Sequence, residues 1–213
     1  NGTKYTFQLK KQVAFHTTSW FTPTRFLNAD DVIFSIDRWR LATHPFHDIN
    51  NDDYPYFVSL GLDNLIKDVK RINGYRIEIT LNKPDSSFLA NLATDFAIIL
   101  SEEYAMAMLA VNTPKLLDER PIGSGPFKFV DYQKDRFIRY EKHTEYWKDS
   151  DVMQQLIYDI TPSSSLRLAK LMTGECDVVS LPAHSELAII RARENLKLDE
   201  KPGLHIGFWA FHT

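Results

Sequence analysis

The chain has 213 residues, 44% hydrophobic and 25% charged, proportions of one large or two small globular domains that exclude a disordered tail, a collagen-like fibre or a coiled coil. Its 25 Lys and Arg stand against 28 Asp and Glu, a net charge of −3 that gives no electrostatic reason to expect nucleic acid or an anionic membrane surface. No apolar run approaches the roughly 20 residues of a membrane-spanning helix, and a single cysteine, Cys176, cannot form an internal disulfide.

The opening NGTKYTFQLK is unlike a targeting peptide and begins in a turn, so the chain is expected to be a piece of something longer. Tyr5, Phe7 and Leu9 alternate with Lys4, Thr6 and Gln8, which predicts a half-buried strand. Asn28 is placed to cap a helix whose first turn carries Asp30 and Asp31, with Val32, Ser35, Ile36 and Trp39 following at helical spacing. His44 to Tyr56 is rich in Pro, Asn and Asp and reads as a loop. Leu62 to Val69 fits either a short helix or a strand. Asn73-Gly74 predicts a tight turn into a strand over Tyr75 to Leu81. Ser86 is a candidate cap for a helix with Phe88, Leu89, Leu92 and Phe96, and Ser101 for another over Glu102 to Ala110.

A boundary is expected near Arg120, where a polar stretch runs into the Gly-Ser-Gly-Pro break at 123–126. Beyond it the pattern predicts strands at Phe127–Gln133 and Arg136–Lys142 with a turn near Lys134-Asp135. Strand, helix, strand, helix, strand and strand then follow at Leu156–Thr161, Ser164–Thr173, Cys176–Leu181, Ser185–Arg193, Leu196–Lys201 and Leu204–Phe211. Gly174 suits a helix C-terminus. Strands alternating with helices argue for an α/β layer with some parallel pairing.

The residues offer little to catalysis. There is no nucleophile elbow, phosphate-binding loop, dinucleotide fingerprint or HExxH helix. Gly123-Ser124-Gly125 is followed by Pro126, which removes an N–H that an anion cradle would use, so it reads as a structural turn. His44 and His47 flank Pro45 near Asp48, Asp52 and Asp53, but Asp and Asn in such a loop ordinarily satisfy local backbone groups, and no metal site is expected. Cys176 lies between Glu175 and Asp177, a setting that raises a thiol pKa. His205, Trp209 and Phe211 share one strand face with Gly207 between them, a face that suits a core or a cleft. Loop aromatics, among them Trp20, Phe21, Phe46, Tyr54, Tyr56, Phe57, Tyr146 and Trp147, suit recognition of extended or flat ligands. Binding therefore ranks ahead of catalysis.

The runs YTFQLKKQVAFH and FTPTRFLNADDVIFSIDRW resemble the periplasmic oligopeptide/dipeptide-binding proteins of ATP-driven importers, a family that also serves nickel and haem uptake. IEITLNKPDSSFLANLA, RPIGSGPFKFVDY with the later EYW, ITPSSSLRLAKLMTGECDVV and PGLHIGFWAFHT extend the resemblance over essentially the whole chain, closest to the dipeptide-binding and SapA-like antimicrobial-peptide branch. The resemblance implies an α/β, periplasmic-binding-protein-like fold (type II, cluster C). It further implies that the chain is lobe I with an accessory α+β subdomain, truncated before lobe II. Residues 1–120 match the accessory subdomain, 121–202 the α/β subdomain and 203–213 the segment crossing toward lobe II. Tyr54 matches a cleft tyrosine, and Leu181, Pro182, Ala183 and His184 match a loop facing the cleft. Cys176 matches a cysteine that pairs with one near the mature N-terminus of dipeptide-binding relatives, a partner absent here. His212 departs from the Asn usual at that position. The implied function is a monomeric periplasmic receptor, neither an enzyme nor a cofactor protein. It would capture peptides and deliver them to an inner-membrane ABC permease, touching the membrane only through that permease. A haem or nickel receptor on the same scaffold is the alternative.

Overall fold

The computed structural model describes residues 2–49, 54–149, 152–201 and 203. Contacts divide the chain into two compact units: Asn1–Gln133 with Phe137–Tyr158, and Lys134–Arg136 with the chain from Asp159 onward.

In the first unit, β1 (Lys4–Gln8) is followed by α1 (Ala29–Arg40), α2 (Pro55–Ser59), α3 (Leu62–Leu65), β2 (Ile66–Asn73) and β3 (Arg76–Leu81). The strands form an antiparallel sheet in the order β1-β3-β2, with Tyr5 opposite Ile79 and Phe7 opposite Ile77. Leu62 to Val69 is thus both a helix and a strand: one turn of α3 passes directly into β2. The apolar alternation in β3 buries Ile77, Ile79 and Leu81 against Val32, Ile36 and Trp39 of α1. Burying each such side chain is worth about 1.5–3 kcal/mol. The opposite side of α1 carries Phe34 into a second cluster with Phe15, Phe46, Tyr104, Leu117 and Ile122. So α1 is a central helix, apolar on two faces. Ser35, which helical spacing placed on the apolar face, is fully buried. Its hydroxyl donates to the Asp31 carbonyl (2.7 Å) and accepts from the Leu100 N–H (2.8 Å), so its burial leaves no bond unmade.

The chain continues through α4 (Phe88–Asn91), α5 (Glu102–Ala110) and α6 (Leu116–Glu119). Ser101 caps α5, accepting from the Tyr104 N–H. Ser86 does not cap α4. The Asp85 carboxylate instead accepts from the N–H and hydroxyl of Ser87, and the helix stops after one turn. Next, β4 (Phe127–Gln133) pairs antiparallel with β5 (Phe137–Lys142), and β6 (Gln155–Asp159) lies on the other side of β5. The bonds Lys142 N–H to Gln154 and Ile160 N–H to Arg136 make this pairing antiparallel as well. Every strand pairing among the described residues is therefore antiparallel, in contrast to the parallel component that the helix–strand alternation suggested.

In the second unit, α7 (Ser164–Thr173) has the expected bounds, with Ser163 as its N-cap and Gly174 left-handed (φ 74°) at its C-terminus. A 3₁₀ turn at His184–Glu186 leads into α8 (Leu187–Arg191), shorter than the helix expected over Ser185–Arg193. The segments 176–181 and 196–201 are not strands. Val178 is 82% exposed and joins no ladder among the described residues; apolar, β-branched residues make a strand only where they pair with an edge. The strand expected over Leu204–Phe211, with His205, Gly207, Trp209, Phe211 and also His212, lies outside the described residues.

Candidate ligand-binding site

Tyr54 opens α2 from a left-handed backbone (φ 45°), an uncommon conformation for a residue with a side chain. The geometry is fixed from several sides. Arg38, brought inward by the last turn of α1, donates its Nε–H to the Tyr54 hydroxyl (3.0 Å) and to the Phe46 carbonyl (3.2 Å). The hydroxyl in turn lies 3.2 Å from the carbonyls of Phe46 and His47, its acceptors. Arg38 Nη2 reaches Asp118 of α6 at 2.7 Å. Burial works against the Arg38 charge, but Asp118 and Tyr54 outweigh it and hold the pKa above its ordinary value. The His47 imidazole donates from Nδ1 to the Arg38 carbonyl (2.8 Å), a bond that leaves Nε2 as the lone-pair nitrogen.

These four side chains form the polar end of a cavity of about 460 Å³, walled elsewhere by Trp39, Phe57, Phe96, Ile98 and Leu100. A largely apolar hollow with a few fixed polar groups suits a small organic ligand that carries both kinds of surface. Among the described residues no serine or cysteine lines it. Among the described residues no group of three or more His, Cys, Asp or Glu side chains is placed to hold a metal ion. His44 and His47 turn to the backbone instead: His44 Nδ1 accepts from the Phe46 N–H. Asp52 and Asp53 lie outside the described residues.

Leu181 to His184 belong to the second unit, Tyr54 to the first. Leu181 is left-handed (φ 52°) and 89% exposed, and His184 is exposed. The Ala183 N–H donates to the Glu186 carboxylate (2.9 Å) and lies 3.2 Å from the Ser164 hydroxyl. That hydroxyl donates to the same carboxylate (2.6 Å), and together these bonds hold the Glu186 pKa below its ordinary value. Arg167 bonds the carbonyls of Thr161 and Pro162 and lies 3.5 Å from that of Leu181, so the 181–183 backbone is held at Leu181 and Ala183 while the Leu181 side chain points to solvent. Cys176 is a half-buried free thiol.

Sequence reading singled out Tyr54 but missed Arg38 and Asp118. They stand 80 positions apart, and no local pattern marks a pair formed only by packing α6 against α1. The faint signal was Arg38 itself, a cation directly beside the apolar Trp39 in the last turn of α1.

The whole chain, residues 1–213, matches the model of the bacterial extracellular solute-binding proteins, family 5 (middle region). It belongs to that family and has its periplasmic-binding-protein-like fold. Across all 213 residues it is 44% identical to heme-binding protein A of Haemophilus influenzae and 42% identical to the peptide transport periplasmic protein SapA of Salmonella typhimurium. The chain spans 39% of the length of either relative. A crystal structure of the dipeptide-binding protein of Pseudoalteromonas sp. SM9913, in complex with Met-Leu, is 45% identical and superposes with a TM-score of 0.87. That match covers 91% of this chain and 38% of that one.

Proposed function

We propose that this chain is part of the periplasmic substrate-binding component of an ABC transporter that captures peptides and delivers them to an inner-membrane permease. The likeness to the Met-Leu-bound relative carries the reading. In it, residues 1–120 serve as the accessory subdomain, 121–202 as the α/β subdomain and 203–213 as the crossing segment of a monomeric receptor that is not an enzyme. Tyr54 and the 181–184 loop are its ligand contacts on this side of the cleft. Closure of such a receptor draws on contacts that a ligand makes with both lobes at once. The cavity beside Tyr54 would take an apolar peptide side chain against Phe57 and Phe96 while Arg38, Asp118 and Tyr54 keep its polar end fixed.

A second reading, a haem receptor, is favoured by one observation: His47 lines an aromatic cavity with its Nδ1–H committed to a carbonyl, so its Nε2 is the nitrogen a haem iron would take. Calorimetric titration of the complete protein with dipeptides, longer peptides and hemin separates the two. The peptide reading expects saturable peptide binding weakened by Tyr54→Ala. Hemin binding with a Soret shift lost in His47→Ala, together with no peptide binding, would overturn it.

A further inference from the structure

We propose that His16 and His143 form an acid-operated latch, which fastens the 123–126 turn to the segment following β1 at neutral pH and releases it when the imidazoles take up protons. Both residues are buried, each only 4% exposed, and their rings meet edge to face with centroids 4.6 Å apart. They share one acceptor: His16 Nε2 and His143 Nδ1 each lie 3.0 Å from the Gly125 carbonyl. His16 Nδ1 accepts the Gly123 N–H at 3.2 Å, and the backbone closes the same joint through His16 N–H to Gly123 (2.8 Å) and His143 N–H to Pro126 (2.8 Å). A side chain at Gly123 would meet His16 Cε1 at 3.3 Å, which accounts for a glycine at this close approach.

The bond from Gly123 requires a neutral His16, and the buried surroundings of His143 Nε2 disfavour a charged ring there. A proton on His16 Nδ1 turns the acceptor of the Gly123 N–H into a second donor facing it. A proton on His143 goes to Nε2, which is buried and has no hydrogen-bond partner, so the new N–H would have nothing to donate to. The charged groups that face the pair are Lys128 of β4, which opposes protonation, and Glu145 beyond β5, which favours it at His143. Glu141 of β5 pairs with Lys128 at 2.9 Å, and the Lys128 ammonium also reaches the Thr17 carbonyl beside His16. In keeping with this geometry, burial lowers both imidazole pKa values, that of His16 to about 4. The step is proton uptake alone: His16 takes one proton from solvent at Nδ1 as the bond from the Gly123 N–H opens, and His143 takes one at its unpartnered Nε2.

The test follows the ring nitrogens of His16 and His143 by NMR in the complete protein from pH 7.5 to 3.5, alongside amide exchange at Gly123, His16 and His143. The latch predicts rings that stay neutral well below pH 6.5, and amide protection that falls about tenfold per pH unit for each proton taken up. His16→Gln keeps a donor and an acceptor without titrating, and should hold the turn closed at pH 4. Should that variant fold poorly, Lys128→Met supplies a second arm, in which release moves to higher pH. Imidazoles that titrate at ordinary values, or protection unchanged across the window, would overturn the latch.

Discussion

The fold should be most sensitive at Asp31, a carboxylate with no exposed side-chain surface. Its Oδ2 accepts from Arg25 Nη1 (2.6 Å) and from the Asn28 N–H (2.9 Å), and its Oδ1 from Arg25 Nη2 (2.9 Å) and from the Glu102 N–H (2.9 Å). One side chain therefore closes the capping box of α1, accepts the first N–H of α5 and neutralises Arg25. Asp31→Asn keeps the volume but exchanges one oxygen for an NH₂ that faces donors. Hydrogen bonds to charged groups are worth about 1.5–3 kcal/mol each, and breaking a buried pair on one side costs about 3–5 kcal/mol. Arg25 keeps a partial substitute in Glu102 at 3.1 Å, so a loss near 4 kcal/mol is expected, or about 8–16 °C in Tm for a chain of this size. Urea unfolding followed by the fluorescence of buried Trp39 measures it. Asp30→Asn is the control, since Asp30 pairs with half-exposed Arg71 and such pairs are worth about 0–1 kcal/mol. A loss at Asp31 no larger than at Asp30 would refute the reasoning.

Other outcomes follow from single residues. Stability should be fully present above pH 6.5 and fall by about 3 kcal/mol as pH drops to 4, because the unfolded chain protonates His16 near its ordinary value while the folded one resists to about 4; melts across this range check it, and His16→Gln should flatten the slope. Leu181→Gly should stabilise by about 1 kcal/mol, since the exposed side chain gives up no packing and the left-handed backbone is relieved; a loss in a urea melt would show that the leucine packs. Gly174→Ala should cost about 1 kcal/mol for the backbone alone, as nothing stands within 4 Å of the added carbon. Tyr54→Phe should destabilise by about 1–3 kcal/mol, because Arg38 Nε loses one of its acceptors, and a thermal melt with no shift would contradict that bond.

What the sequence discloses is mainly what neighbours in the chain settle among themselves. The caps at Asn28 and Ser101, the alternation in β1 and β3 and the glycine stop at 174 depend on contacts a few residues apart, and the structure has them. Val178, Val179 and Leu181 look like a strand because β-branched and apolar residues favour one, but a strand exists only with a paired edge, and among the described residues these pair with none. Asp31 was visible as a first-turn acid. Its bonds to Arg25 and to the start of α5, like the Arg38–Asp118 pair beside Tyr54, follow from packing across long separations that periodicity does not encode. The same holds for His16 and His143, two unremarkable histidines until the turn at 123–126 brings them together.

Because α1 gives side chains to both apolar clusters, and Leu9 and Ile99 touch both, neither cluster has a wall of its own. A substitution that tilts the helix to suit one side must open a gap on the other. The two clusters should exchange their amide protons as one block, with a single opening free energy. Drift in the sequence of one cluster is then constrained by residues it never touches, and a designer who repacks Phe34 must also redesign Ile36.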